Sequence, residues 1–179
     1  MTSAPTMNRD RLAQRIADTA LLRGEFTLRS GRSSKFYLDK YRFSTQPDIL
    51  KALGVMFEKR LPEGTTRLAG AELGGIPLVT TTSMAAGLPC VFIRNQKKEY
   101  GTAKQLEGTL ESGDRVVILE DIATTGGQVL EAAKIIGDVG ASVLSIIATI
   151  DRLEGARENI EGAGFVFESL FTVKDLGIG

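Results

Sequence analysis

Residues 120–128, Glu-Asp-Ile-Ala-Thr-Thr-Gly-Gly-Gln, follow the apolar run "RVVIL" and precede the helix-like "VLEAAKII". Thr124, Thr125, Gly126 and Gly127 make a short turn into a helix. Glycines there let backbone N–H groups converge on an anion at the positive end of the helix dipole, and the two threonine hydroxyls add donors. That is the chemistry of a phosphate cradle. The carboxylates of Glu120 and Asp121 would repel such a phosphate unless they face something else. The vicinal 2′ and 3′ hydroxyls of a ribose whose 5′-phosphate fills the turn are natural partners. The plainer reading, Thr124 as a helix N-cap with the acids merely solvated, accounts for less of the nine-residue unit.

Elements on either side must place these residues. Strand-like and helix-like segments alternate from "RLAGA" onward: "GIPLVTTTSMAAG" helix, "CVFIR" strand, a polar loop, "RVVILE" strand, "GQVLEAAKIIGDVG" helix, "SVLSIIATI" strand, "GARENIEGAG" helix and "FVFESLF" strand. Such alternation predicts βαβ units and an α/β fold, a mostly parallel sheet flanked by helices on both faces. In open sheets of this kind the ligand crevice lies beyond the carboxyl ends of the strands, which is where Glu120 to Gln128 fall. Upstream, Leu12, Ile16, Ala17, Ala20 and Leu21 predict an amphipathic helix over about residues 8–22, ending near Gly24. The strand-like "EFTL" and "KFYLD" then flank the turn-rich "RSGRSS", a small hairpin or flap, and a second helix runs from Pro47 until just before Pro62. The expectation is a single domain over residues 1–179, with about 1–45 forming an N-terminal appendage and about 46–179 the α/β core.

Composition sets limits on partners. The chain has 22 Lys and Arg against 22 Asp and Glu, so it offers no general attraction to nucleic acid or to an anionic membrane, and any anion site is local. No apolar run approaches the roughly 20 residues that span a bilayer, and the opening "MTSAPTM" lacks the regions of a signal peptide. The single Cys90 lies in the apolar "PCVFI", where a buried thiol is expected. These readings predict a cytoplasmic protein.

"VVILEDIATTGGQ" resembles the phosphoribosyl diphosphate (PRPP) signature of the type I phosphoribosyltransferases, and neither a Gly-Lys-Ser/Thr P-loop nor a G-x-G-x-x-G after the first strand competes with it. Four further segments resemble orotate phosphoribosyltransferases: "GEFTLRSGRSSKFYLD" at 24–39, like their amino-terminal hood; "GAELGGIPL" at 70–78; "IRNQKKEYGTAKQLEG" at 93–108, like their mobile basic loop; and "TIDRLEGA" at 149–156. The resemblance spans nearly the whole chain. It implies transfer of phosphoribosyl from PRPP to orotate, giving orotidine 5′-monophosphate and pyrophosphate. It also implies dependence on Mg²⁺ held mainly by PRPP oxygens and water, and a homodimer whose basic loop reaches the neighbouring active site.

Carried over residue by residue, the resemblance assigns PRPP to Arg94, Lys97, Lys98, Tyr100, Glu120, Asp121, Ile122, Ala123, Thr124, Thr125, Gly126, Gly127 and Gln128. Lys98, Asp121 and Glu120 are the expected catalytic residues, and no protein ligand is assigned to the metal. Orotate falls to Thr124, Arg152 and Arg29, the Arg152 guanidinium pairing with its carboxylate. Phe36 and Tyr37 fit either the hood core or stacking on the base, and the core is the expectation. Displacement of pyrophosphate builds negative charge on the leaving group, and Arg94, Lys97, Lys98 and Lys104 bring four cations to meet it. A glycine-bearing polar loop here can close over the substrates and exclude water. The pattern departs from many relatives at Asn95, where they carry a basic residue, at Tyr100, where they carry histidine, and at Glu120, where they carry aspartate. The chain has no histidine, so histidine acid-base catalysis is excluded. Two rival readings are a phosphoribosyltransferase for another base and a PRPP-binding regulator without turnover. The first gives no reason for the hood or Arg152, and the second lacks a basic face or a nucleic-acid-reading element.

Overall fold

A computed structural model describes residues 7–27, 33–95 and 105–178. Helix α1 (Arg9–Ala20) starts where the Asn8 side chain accepts the Arg11 N–H, and it buries Leu12, Ala13, Ile16 and Ala20. The chain then passes straight into β1 (Leu21–Thr27). Leu21 and Leu22 continue the helical spacing in sequence, but here they are strand residues opposite Leu38 and Tyr37 of β2 (Ser33–Leu38). These two strands form an antiparallel ribbon of their own. Asp39 caps a short helix that sequence spacing does not reveal, α2 (Lys40–Phe43), and α3 (Pro47–Glu58) begins with its proline in the first turn.

The main sheet has six strands in the order β5-β4-β3-β6-β7-β8. They are β3 (Arg67–Ala71), β4 (Cys90–Ile93), β5 (Leu106–Glu107), β6 (Arg115–Ala123), β7 (Ser142–Asp151) and β8 (Phe167–Thr172). All neighbours run parallel except the short edge strand β5, which lies antiparallel to β4. Helices α4 (Gly75–Ala86), α5 (Gly127–Asp138) and α6 (Ala156–Gly162) connect the strands, and a 3₁₀ turn (Val173–Leu176) follows β8. This is the expected α/β fold, a mostly parallel sheet flanked by helices.

Burial on both faces explains the unbroken apolar strands. In β6, Val117 and Leu119 join one core with α1, α3 and α4, while Val116 and Ile118 join a second with α5 and α6. All four are fully buried, and each such side chain contributes about 1.5–3 kcal/mol of hydrophobic stabilisation. Helix α1 belongs to the first core, so the N-terminal segment is packed into the sheet's own cluster. Cys90, expected to be buried, opens β4 and is half-buried. From β3 the chain runs outward to β4 on one side, and from β6 to β7 on the other. The strand order therefore reverses between β3 and β6, and a crevice opens at their carboxyl ends. Among the described residues no helix is long and apolar enough to cross a membrane.

Candidate active site

Strand β6 carries on past Leu119 to Ala123, pairing Glu120 with Ala148 and Ile122 with Ile150 of β7. The two acids are thus strand residues and deeply buried, Glu120 at 6% and Asp121 at 1% exposure. Burying adjacent carboxyls is costly unless something compensates them. Asp121 Oδ1 accepts the Ile122 N–H at 2.5 Å, and its Oδ2 lies 2.8 Å from Lys40 Nζ. Burial pulls the Lys40 ammonium down, but the charge and hydrogen bond of Asp121 outweigh it and leave the ammonium above its ordinary value. Glu120 goes the other way for a carboxyl: burial first, and then the charge of Asp121, push it well above the usual range, with Lys40 opposing. Its Oε1 accepts the Asp121 N–H at 3.2 Å, and Oε2 has no hydrogen-bond partner. The acid pair therefore sits with Glu120 pushed toward its protonated form by burial and by Asp121, and with Asp121 paired with Lys40.

Space for Asp121 is made by the turn between β3 and α4. A Cβ on Gly74 would lie 1.4 Å from Asp121 Oδ2, so only glycine fits beside this carboxylate. The Glu72–Leu73 peptide in the same turn is cis.

Downstream of the acids, Glu120, Ile122, Ala123, Thr124, Thr125, Gly126, Gly127, Gln128 and Val129 enclose a cavity of about 100 Å³. The helix cap is Gly126 rather than Thr124: Gly126 has φ +79°, and a Cβ there would meet Ile160 Cγ1 at 2.8 Å. Asn159 of α6 donates to the Thr125 carbonyl at 2.9 Å and steadies the turn. The first turn of α5 holds no acidic side chain, so its positive dipole end is free to face an anion.

Arg152 leaves the end of β7 beside this loop, its N–H donating to the Ala123 carbonyl at 2.9 Å. Its guanidinium pairs with Glu154 at 2.8 Å and lies 5.9 Å from the Phe36 ring centre, joining the hood ribbon to β7. Asp151 does not take Arg152 as a partner and accepts the Leu153 N–H instead. Phe36 is half-buried against the first core. Tyr37, expected in the hood core, is 45% exposed and stacks at a tilt on Phe26.

On the far side of the crevice a polar clamp joins three elements. The Asn95 N–H donates to Glu72 Oε1 at 2.7 Å, and Gln128 Nε2 donates to the Glu72 carbonyl at 2.9 Å and to Asn95 Oδ1 at 3.0 Å. Asn95 thus takes up a structural task. Arg94 is half-buried, 3.7 Å from Glu107. The other expected site residues, Arg29, Lys97, Lys98 and Tyr100, and the loop cation Lys104, lie outside the described residues.

The structure brings Glu120, Asp121, the 122–128 segment, Arg94 and Arg152 to the carboxyl ends of β4, β6 and β7. It adds one residue that sequence reasoning missed. Lys40 sits far upstream and carries no motif; its only local signal is that it follows a capping aspartate after a hood strand.

Residues 45–176 match the family described as the phosphoribosyl transferase domain. An orotate phosphoribosyltransferase of Halobacterium salinarum is 46% identical over 164 residues, covering 92% of this chain and 93% of that protein. Among solved structures, orotate phosphoribosyltransferase of Mycobacterium tuberculosis H37Rv in complex with Fe(III) dicitrate superposes with a TM-score of 0.87 at 29% identity, covering 95% of this chain and 99% of that one. The same enzyme in complex with PRPP gives 0.81 at 31% identity, with 95% and 99% covered. The chain belongs to the orotate phosphoribosyltransferase family, a family of pentosyltransferases.

Proposed function

We propose that this chain, as one phosphoribosyltransferase domain, transfers phosphoribosyl from PRPP to orotate in de novo pyrimidine (UMP) synthesis. A C1–N bond to the base forms as the C1–O bond to pyrophosphate breaks, yielding orotidine 5′-monophosphate. The observation that carries this reading is the continuity of the site: a buried acid pair and an acid-free helix turn lie on one segment, 120–128, at the sheet's switch point.

The Thr124 to Gln128 turn holds the 5′-phosphate, with Ile122 and Ala123 lining the approach. Asp121 and Glu120 meet the ribose hydroxyls, whose O–H groups donate to the carboxyl oxygens. Arg152 pairs with the orotate carboxylate, exchanging Glu154 for it, with Thr124 and Arg29 as further contacts. Arg94, Lys97, Lys98 and Tyr100 receive the pyrophosphate, Lys98 from the neighbouring subunit.

Among the described residues no three acidic, histidine or cysteine side chains cluster as a metal cage. Mg²⁺ keeps several waters and binds through phosphate oxygens, so PRPP oxygens and water would hold it. When bound, the ion neutralises charge on the departing pyrophosphate. A homodimer is supported by an apolar groove of about 680 Å³ between α3 and α4, lined by Leu50, Val55, Pro77 and Met84; Met84 is 81% exposed. The expected compartment is the cytoplasm.

The test is consumption of orotate with PRPP and Mg²⁺, with adenine, hypoxanthine and uracil as competing acceptors. Orotate is expected to be used fastest. Faster turnover of any of the others would overturn the acceptor assignment.

A further inference from the structure

Asp121 is held from three directions. Its own strand supplies the Ile122 N–H to Oδ1 at 2.5 Å. The β3–α4 turn supplies a bare backbone, since a Cβ on Gly74 would fall 1.4 Å from Oδ2. The hood supplies Lys40, whose ammonium is 2.8 Å from that same Oδ2. Lys40 is itself well anchored: it is the first residue of α2, a helix capped by Asp39, whose N–H donates to the last carbonyl of α1 at 2.9 Å. Its side chain keeps 33% exposure, whereas Asp121 is closed to solvent.

We infer that Lys40 is a positioning residue for PRPP, fixing the Asp121 carboxylate in the orientation from which it accepts the ribose hydroxyls. The inference rests on the assignment of Asp121 to the ribose. Chemistry requires a partner of this kind. A nearly solvent-free carboxylate beside a second acid needs a cation against it if it is to stay charged. An Asp121 that lost Lys40 would keep only the Ile122 N–H on Oδ1 and could swing Oδ2 away from the position in which it meets a diol. A carboxylate has room for both tasks, because two oxygens carry about four acceptor positions: the Ile122 N–H takes one on Oδ1, and Oδ2, against which the Lys40 ammonium lies as an ion pair, has no other hydrogen-bond partner. Lys40 therefore need not leave when the sugar arrives. It acts through Asp121 and touches no reacting atom.

The competing description is a purely structural ion pair that ties α2 to the sheet. It predicts a loss of thermal stability with little change in substrate use. The experiment is steady-state kinetics on the full-length Lys40→Met enzyme with each substrate varied. The apparent KM for PRPP is expected to rise about tenfold or more, as befits loss of a charge-assisted contact, while that for orotate stays within about twofold. Lys40→Arg, which restores the charge, should recover most of the loss. Lys40→Gln replaces the methionine variant if that protein melts below the assay temperature. In the double variant Lys40→Met/Asp121→Asn, kcat/KM for PRPP should be no worse than in Asp121→Asn alone, since both changes remove one device. Multiplied defects, or a Lys40→Met enzyme with unchanged KM for PRPP beside a defective Asp121→Asn, would overturn the inference and leave the ribose assignment standing. Normal PRPP use by Asp121→Asn would remove the ribose assignment, and Lys40's role with it.

Discussion

Adding one methyl group at Gly74 should cost this enzyme far more activity than stability. The residue has φ −71° and ψ −27°, ordinary helical backbone that alanine adopts freely, so any effect is steric. Its Cβ would sit 1.4 Å from Asp121 Oδ2 and 2.6 Å from Cγ, against ordinary contact beginning at 3.4 Å. The carboxylate and the turn must therefore part by about 2 Å, enough to break the 2.8 Å pair with Lys40. A misplacement of about 1 Å at a reacting site costs on the order of 100-fold, so kcat/KM for PRPP should fall at least that much. Overpacking costs about 1–3 kcal/mol, and at about 2–4 °C per kcal/mol for a chain of this size Tm should drop by about 2–12 °C. The assay is orotate consumption at varied PRPP beside thermal melting. Gly137→Ala is the control: the same methyl enters open space inside α5 and should leave kinetics unchanged while adding about 0.5–1 kcal/mol of stability. A folded Gly74→Ala enzyme within about threefold of wild-type kcat/KM would refute the placement of Asp121 in the PRPP site.

Arg152→Ala should chiefly raise the KM for orotate, by about 10- to 100-fold, since a hydrogen bond to a charged group is worth about 1.5–3 kcal/mol; unchanged orotate kinetics would remove Arg152 from the site. Glu120→Gln bears on pH. Because the folded Glu120 carboxyl keeps its proton above the unfolded value of 4.5, wild-type stability falls as pH rises through and beyond that value, and the variant escapes the loss. Melting curves should show Glu120→Gln the more stable at neutral pH and the two proteins converging below pH 4.5; a constant difference across the range would contradict the retained proton. Finally, Lys98→Ala and Asp121→Asn proteins, each nearly inactive alone, should when mixed and reassociated regain roughly a quarter of wild-type activity if Lys98 acts in the partner's site, about half the dimers then being mixed with one intact site each. No recovery after exchange confirmed by mass would place Lys98 in cis.

The sheet was legible because its chemistry is local. Val116 to Leu119 form an unbroken apolar run since both faces of β6 are covered, and the glycines after Ala123 mark where strand pairing stops. The phosphate turn was legible for the same reason, lying on one short segment. Boundaries were less so. Leu21 and Leu22 fit a helical stripe as well as a strand, and only their pairing with β2 decides between the two. Likewise β6 runs on through Glu120 and Asp121 because β7 continues beside it to Asp151. Polar residues inside a strand read as its end when the neighbour is unseen. Thr124 looks like a cap, yet the left-handed backbone that the turn needs falls at Gly126. Lys40 was invisible because its meaning lies wholly in a long-range pair; no spacing within the hood announces a carboxylate on β6.

The hood ribbon has a stability of its own to answer for. Two strands alone are marginal in water, and β1 and β2 share no ladder with the main sheet. Their support comes at one end, where Leu21 and Leu38 meet the first core and Lys40 grips Asp121; at the other, Thr27 and Ser33 are exposed. Such a ribbon should open first at the end farther from the core. Amide hydrogens should exchange fastest near Thr27 and progressively more slowly toward Leu38, all of them well ahead of β6 and β7, whose exchange requires global unfolding. The crevice is thereby roofed by one of the least costly parts of the molecule to open and floored by the most costly.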